Sequence, residues 1–134
     1  MTTDVYCVDG VVETIYDAAT QTMTCTWIHL GPHAHLRPCL QAQVDCVIAH
    51  DTRAIIVDTA DAKGVLTQDD QAWIGDYVFP TYQANGLKAL ITVLPKSALT
   101  GLAAKRWQKT GSNFGFDFMD ADSLATAKQI VADL

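Results

Sequence analysis

The densest run of side chains able to bind metal or act as nucleophiles is HLGPHAHLRPCLQAQVDCVIAH, residues 29–50. On a helix turning 100° per residue, His35, Cys39, Cys46 and His50 share an arc of about 60°. Cys39 and Cys46 are nevertheless separated by about 10 Å of helical rise, too far for one zinc ion bound at about 2.0–2.3 Å. His35 with Cys39 is a ligand pair, and His33 could add a third from the preceding loop, but no closed four-ligand spacing is present. Neither a metal nor a cofactor is therefore expected. Cys39, near a helix start, could have a lowered thiol pKa, with His33 and His35 close in sequence as proton acceptors. No glycine elbow or oxyanion motif accompanies them, so a small thiol-dependent enzyme ranks as the third reading and the expectation is a non-enzyme.

A second stretch, AIIVDTADAKGVLTQDDQAWI (residues 54–74), sets an apolar run against a helix start. In open α/β sheets, ligands collect beyond the carboxyl ends of strands, and helix N-termini attract anions. Asp58, Thr59 and Thr67 are on that basis candidates for a ligand or partner site. The simpler account makes Thr67 an N-cap, with Asp70 three residues on in the place of a capping-box acid. Asp69 and Asp70 suit the helix dipole but repel a phosphate.

The elements that must position these residues follow from periodicity. In TMTCTWI, Met23, Cys25 and Trp27 alternate with Thr22, Thr24 and Thr26, as in a strand with one wet face. VVETIYD before it is a second strand, with AATQ as the hairpin loop. From Leu36 to Ile48 the period becomes helical, with Leu36, Leu40, Val44, Val47 and Ile48 on one face and Pro38 in the first turn. RAIIVD and LKALITVLP are continuous apolar runs, typical of strands covered on both faces, and are expected as parallel neighbours. A helix from Thr67 carries Trp73, Ile74, Tyr77 and Val78, bends or ends near Pro80 and stops at Asn85-Gly86. KSALTGLAAKRWQKTG is a further helix and FGFDFM a strand. In DADSLATAKQIVADL, an aspartate caps a last helix with Leu124, Ala127, Val131 and Leu134 on one face. The order is ββαβαβαβα, an α/β fold whose mixed, mainly parallel sheet is flanked by helices.

With 134 residues, 49% of them hydrophobic and 18% charged, the chain is expected to form one domain, residues 1–134. A net charge of −6 disfavours nucleic acid and anionic membrane as partners. No apolar run reaches the roughly 18 residues of a membrane span. MTTDVYCVDG carries no apolar signal region, so a cytoplasmic location with reduced Cys7, Cys25, Cys39 and Cys46 is expected.

Together these landmarks resemble the STAS-like fold of bacterial anti-sigma factor antagonists, in particular an uncharacterised bacterial branch also associated with CRAL-TRIO lipid-binding domains. They are the hairpin ending in Trp27, IIVD closing on Asp58, then Trp73, Pro80 and GLKALITVLPK, and a final strand turning at Met119-Asp120 into a helix with Ala127. The resemblance covers about residues 11–134. It implies a non-enzymatic regulatory or protein-interaction module, with a protein or a second copy of the chain as partner. The phosphorylatable serine of that family has no counterpart in Thr59-Ala60-Asp61-Ala62-Lys63-Gly64. The CRAL-TRIO association implies a second reading, a carrier or sensor of a small apolar ligand or lipid, with Trp73, Tyr77 and Trp107 lining its pocket.

Overall fold

The computed structural model describes residues 2–32, 34–94 and 115–134. Its elements are β1 (Thr2–Val8), β2 (Val12–Asp17), β3 (Thr22–Trp27), β4 (His29–Gly31), α1 (Leu36–Ala49), β5 (Ala54–Asp58) and β6 (Lys63–Gly64). Then come α2 (Gln68–Trp73), a π-helical segment (Ile74–Val78), α3 (Phe79–Ala84), β7 (Ala89–Val93), β8 (Asp117–Ala121) and α4 (Leu124–Ala132). The main sheet has the order β1-β2-β3-β5-β7-β8, and β4 pairs separately with β6. β1, β2 and β3 are antiparallel neighbours, whereas β3, β5, β7 and β8 run parallel. The chain is thus α/β, with a mixed, mostly parallel sheet flanked by helices.

The strands IIVD and LITVL are parallel neighbours, with Ile56 opposite Ile91. Alternation along them divides the interior in two. Ile55, Val57 and Leu90 face α1, the π segment and α3, whereas Ala54, Ile56, Ile91 and Val93 face α4 with Ala127 and Val131. Both faces of β5 and β7 are covered, which is why their sequences read as unbroken apolar runs. In β3, Met23, Cys25 and Trp27 are buried on the α1 side.

Several features differ from the sequence reading, the separate β4–β6 pair among them. The chain opens with an additional strand, β1, whose mixed TTDVYCV carries little alternation because it is an edge strand with mostly exposed side chains. Ile48 is 56% exposed rather than on the buried face of α1. The buried arc of that helix is centred on Leu36, Gln43 and Val47 and takes in Cys39 and Cys46, leaving Ile48 beyond its other margin. At the last helix, Ser123 is the cap: its side chain accepts from the Thr126 amide, and Leu134 is exposed. The helix does not end at Pro80 but runs on to Ala84. Pro80 lacks the N–H that would bond the Asp76 carbonyl, and the helix adjusts just before it through a π turn, in which the Phe79 amide bonds to Ile74. The helix expected over residues 96–111 lies outside the described residues.

Candidate functional site

The strand-end candidates are each engaged in local structure. Asp58 Oδ1 accepts the Ala60 amide at 3.1 Å and shapes the turn after β5. Thr59 is buried, and its hydroxyl donates to the Val93 carbonyl at 2.8 Å, tying the ends of β5 and β7 together. Thr67 Oγ1 accepts the Asp70 amide at 3.0 Å and caps α2. The sheet also lacks a reversal there. β3, β5 and β7 follow one another in space, and α1 and the α2–α3 segment both lie on the same face. A ligand crevice of the doubly wound kind forms where successive crossovers leave to opposite faces, and β5 is not such a place.

Trp73 and Tyr77 lie on the α1 side, partly buried, with ring centroids 5.6 Å apart. The Arg37 guanidinium sits 5.2 Å from the Trp73 ring and pairs with Asp70 at 2.8 Å. Gln41 donates to the Tyr77 hydroxyl at 3.0 Å. The two rings therefore hold α1 against α2 and the π segment. Trp107, the third ring of the expected pocket, lies outside the described residues.

A cavity of about 410 Å³ lies on the opposite face of the sheet. Strand register sets its floor. One cross-strand row runs Ile15, Thr24, Ile56; the next runs Thr2, Asp17, Thr22. Lys128, Val131 and Ala132 of α4 form a wall with Arg53, and Ala19 and Thr20 of the β2–β3 turn form a lip. The position follows from helix width. α4 packs on β5, β7 and β8, and a helix about 10 Å across does not also reach β2 and β3 at about 4.8 Å per strand, so these extend beyond it. The threonines that alternate with Met23 and Cys25 are thus the polar floor of a recess.

Chemically, this recess offers threonine hydroxyls that both donate and accept, an apolar strip of Ile15, Ile56 and Val131, and two cations at its margin. Arg53 is held by bonds from Nη2 to the Val131 and Leu134 carbonyls at 3.0 and 3.2 Å. Asp17 Oδ1 accepts the Ala19 amide at 2.9 Å, which rigidifies the lip. This lining suits a small amphipathic molecule with acceptor oxygens toward Arg53 and Lys128. The signal in the sequence was the Thr22/Thr24 alternation. What it could not supply was the distance to α4, more than a hundred residues away.

Polar side chains also cluster under α1. Gln43 Nε2 lies 3.4 Å from Thr14 Oγ1 and 3.5 Å from Cys39 Sγ, and Tyr82 donates to Gln43 Oε1 at 3.3 Å. His35 Nδ1 and the Tyr6 hydroxyl are 3.0 Å apart at the helix start. Among the described residues, no group of three or more His, Cys, Asp or Glu side chains is placed to hold a metal ion. No helix among them is long and apolar enough to cross a membrane.

Comparison with protein-family models, with curated proteins and with solved structures gives no match.

Proposed function

We propose that this chain is a non-enzymatic sensor of a small amphipathic ligand, a STAS-like module working in a bacterial cytoplasm. The observation that carries this reading is the threonine-floored cavity between β2–β3 and α4, whose volume of about 410 Å³ falls in the range of small-molecule pockets. The apolar strip would take the tail of the ligand, and Arg53 with Lys128 would take a carboxylate or comparable anion. Tail and head group together distinguish this reading from a purely apolar carrier. Native mass spectrometry of the purified chain, with and without added octanoate, provides the test. Thr24→Trp fills the recess and should abolish the bound mass, while Thr26→Trp, on the same strand but outside the lining, should retain it. Identical octanoate binding by both variants would overturn the assignment.

A protein-interaction role, implied by the STAS resemblance, finds support in β1. This seven-residue strand ends the sheet and carries no proline or lysine, its regular pairing being broken by one irregularity between Asp4 and Tyr6. A partner protein, or a second copy of the chain, would add a strand there. Val5→Pro should then abolish partner capture or self-association measured by sedimentation, with the helical circular dichroism preserved.

A further inference from the structure

The charges that line the recess are not of one sign. Asp17 stands on its β2 side, whereas Arg53, just before β5, and Lys128 of α4 stand on the other. The β3 floor separates them. β2 and β5 are the two neighbours of β3, so the backbones carrying Asp17 and Arg53 are about 10 Å apart, two strand spacings. A ligand with only a carboxylate meets an unfavourable charge at Asp17, and one with only an ammonium meets two at Arg53 and Lys128.

The β2 side is built to accept hydrogen bonds. Asp17 pairs directly with Thr22 across the two strands, and Thr22 is only 6% exposed. The Thr22 hydroxyl donates to the Thr20 carbonyl at 3.1 Å, which commits its hydrogen and leaves its oxygen as an acceptor. Asp17 Oδ1 accepts the Ala19 amide, and this bond fixes the carboxylate beside the turn. A carboxylate and an acceptor hydroxyl side by side form a receptor for an ammonium group. The opposite side donates. Arg53 Nη2 covers the Val131 and Leu134 carbonyls at the end of α4, and the guanidinium carries further N–H groups on Nε and Nη1. Lys128 adds an exposed ammonium. Ile15, Ile56 and Val131 complete the lining with apolar surface suited to methylenes.

We propose that the ligand of this recess is a small zwitterion with its charges at opposite ends of an apolar chain, an ω-amino acid in chemical class. The inference rests on the reading of the recess as a ligand site and adds the second charge to it. The ammonium binds Asp17 and Thr22, the carboxylate binds Arg53 and Lys128, and the methylenes cross the β3 floor between them. Both ends are charge-assisted hydrogen bonds, the stronger kind. Because the two ends face each other across β3, a chain has to separate the ligand's charges. An α-amino acid carries both on one carbon and engages one end at a time.

The test is calorimetric titration of the full chain with 6-aminohexanoate, its isomer norleucine, hexanoate and hexylamine. 6-Aminohexanoate should bind about tenfold more tightly than each of the others, the worth of one more hydrogen bond to a charged group. Asp17→Asn keeps an oxygen for the Ala19 amide but removes the charge. It should bring 6-aminohexanoate down to the affinity of hexanoate and leave hexanoate no weaker, which also shows that the variant folds. Lys128→Gln, at an exposed position, should weaken 6-aminohexanoate and hexanoate alike and spare hexylamine. Three results would overturn the zwitterion and still leave the recess a ligand site: hexanoate binding as tightly as 6-aminohexanoate, norleucine doing so, or an undiminished preference in Asp17→Asn. Absence of binding by all four probes would overturn both readings. So would binding that survives Thr24→Trp, because it would lie outside the recess.

Discussion

The Tyr82 hydroxyl donates to Oε1 of Gln43 across 3.3 Å, joining α3 to α1 through residues 39 positions apart. Gln43 in turn reaches Thr14 and Cys39, so one amide connects two helices to the sheet. Tyr82→Phe removes a donor without leaving a cavity and should cost about 1 kcal/mol, the net value of one hydrogen bond. Gln43→Met keeps the volume but strands the Tyr82 hydroxyl, and should cost more, about 2 kcal/mol. Urea unfolding of both variants checks the order. Equal costs would show that the amide is not the hub.

Stability should fall at alkaline pH. Burial pushes the Tyr82 hydroxyl well up and also raises Tyr16, Cys25 and Cys46. In the folded chain these groups keep protons that the unfolded chain has already lost, so unfolding releases protons and becomes easier as pH rises. The loss begins near pH 9, the ordinary thiol value, and deepens above pH 10, the ordinary phenol value. Cys39 acts in the opposite sense. Its lowered thiol adds stability that is present above the ordinary thiol value and lost as pH falls through the folded value. Cys7 is raised as well, so the raised groups outweigh the one lowered group, and Tyr82→Phe should flatten the decline above pH 10. Denaturant midpoints measured across this range provide the check.

Thr67→Ala should destabilise the chain by about 1 kcal/mol, because the Asp70 amide loses its acceptor. Thr67→Asp should be nearly neutral in stability, since aspartate caps as well as threonine. If Thr67→Asp altered ligand or partner binding while leaving thermal stability unchanged, a switch role would replace the capping role.

Two glycines separate backbone strain from steric contact. Gly64 and Gly86 both have positive φ, +85° and +86°. A Cβ at Gly86 meets no atom within 4 Å, whereas one at Gly64 would run into the Gly31 carbonyl oxygen of the paired strand β4. Gly86→Ala should therefore cost only the left-handed penalty, about 1–2 kcal/mol. Gly64→Ala should cost clearly more and loosen the β4–β6 pair, visible as faster amide exchange at Val65, whose N–H bonds to Gly31. Equal losses at the two positions would argue against this close approach.

What the sequence determined by itself was local. The Thr22/Met23/Thr24/Cys25 alternation assigned a wet and a dry face to β3, because side chains on a strand alternate whatever lies beyond. The unbroken runs of β5 and β7 announced strands covered on both sides, and the Thr67 cap was legible because donor and acceptor are three residues apart. Tertiary structure decided the rest. The helical period of α1 left its exact buried arc undefined, and only the sheet beneath selected the side holding Cys39, Gln43 and Cys46 over the side holding Ile48. Gln43 borders the apolar stripe read from the sequence rather than lying in it, and its partners Thr14 and Tyr82 lie 29 and 39 residues away. The recess likewise depends on where α4 stops across the sheet. Periodicity records which residues share a face, whereas packing between distant segments decides what that face meets.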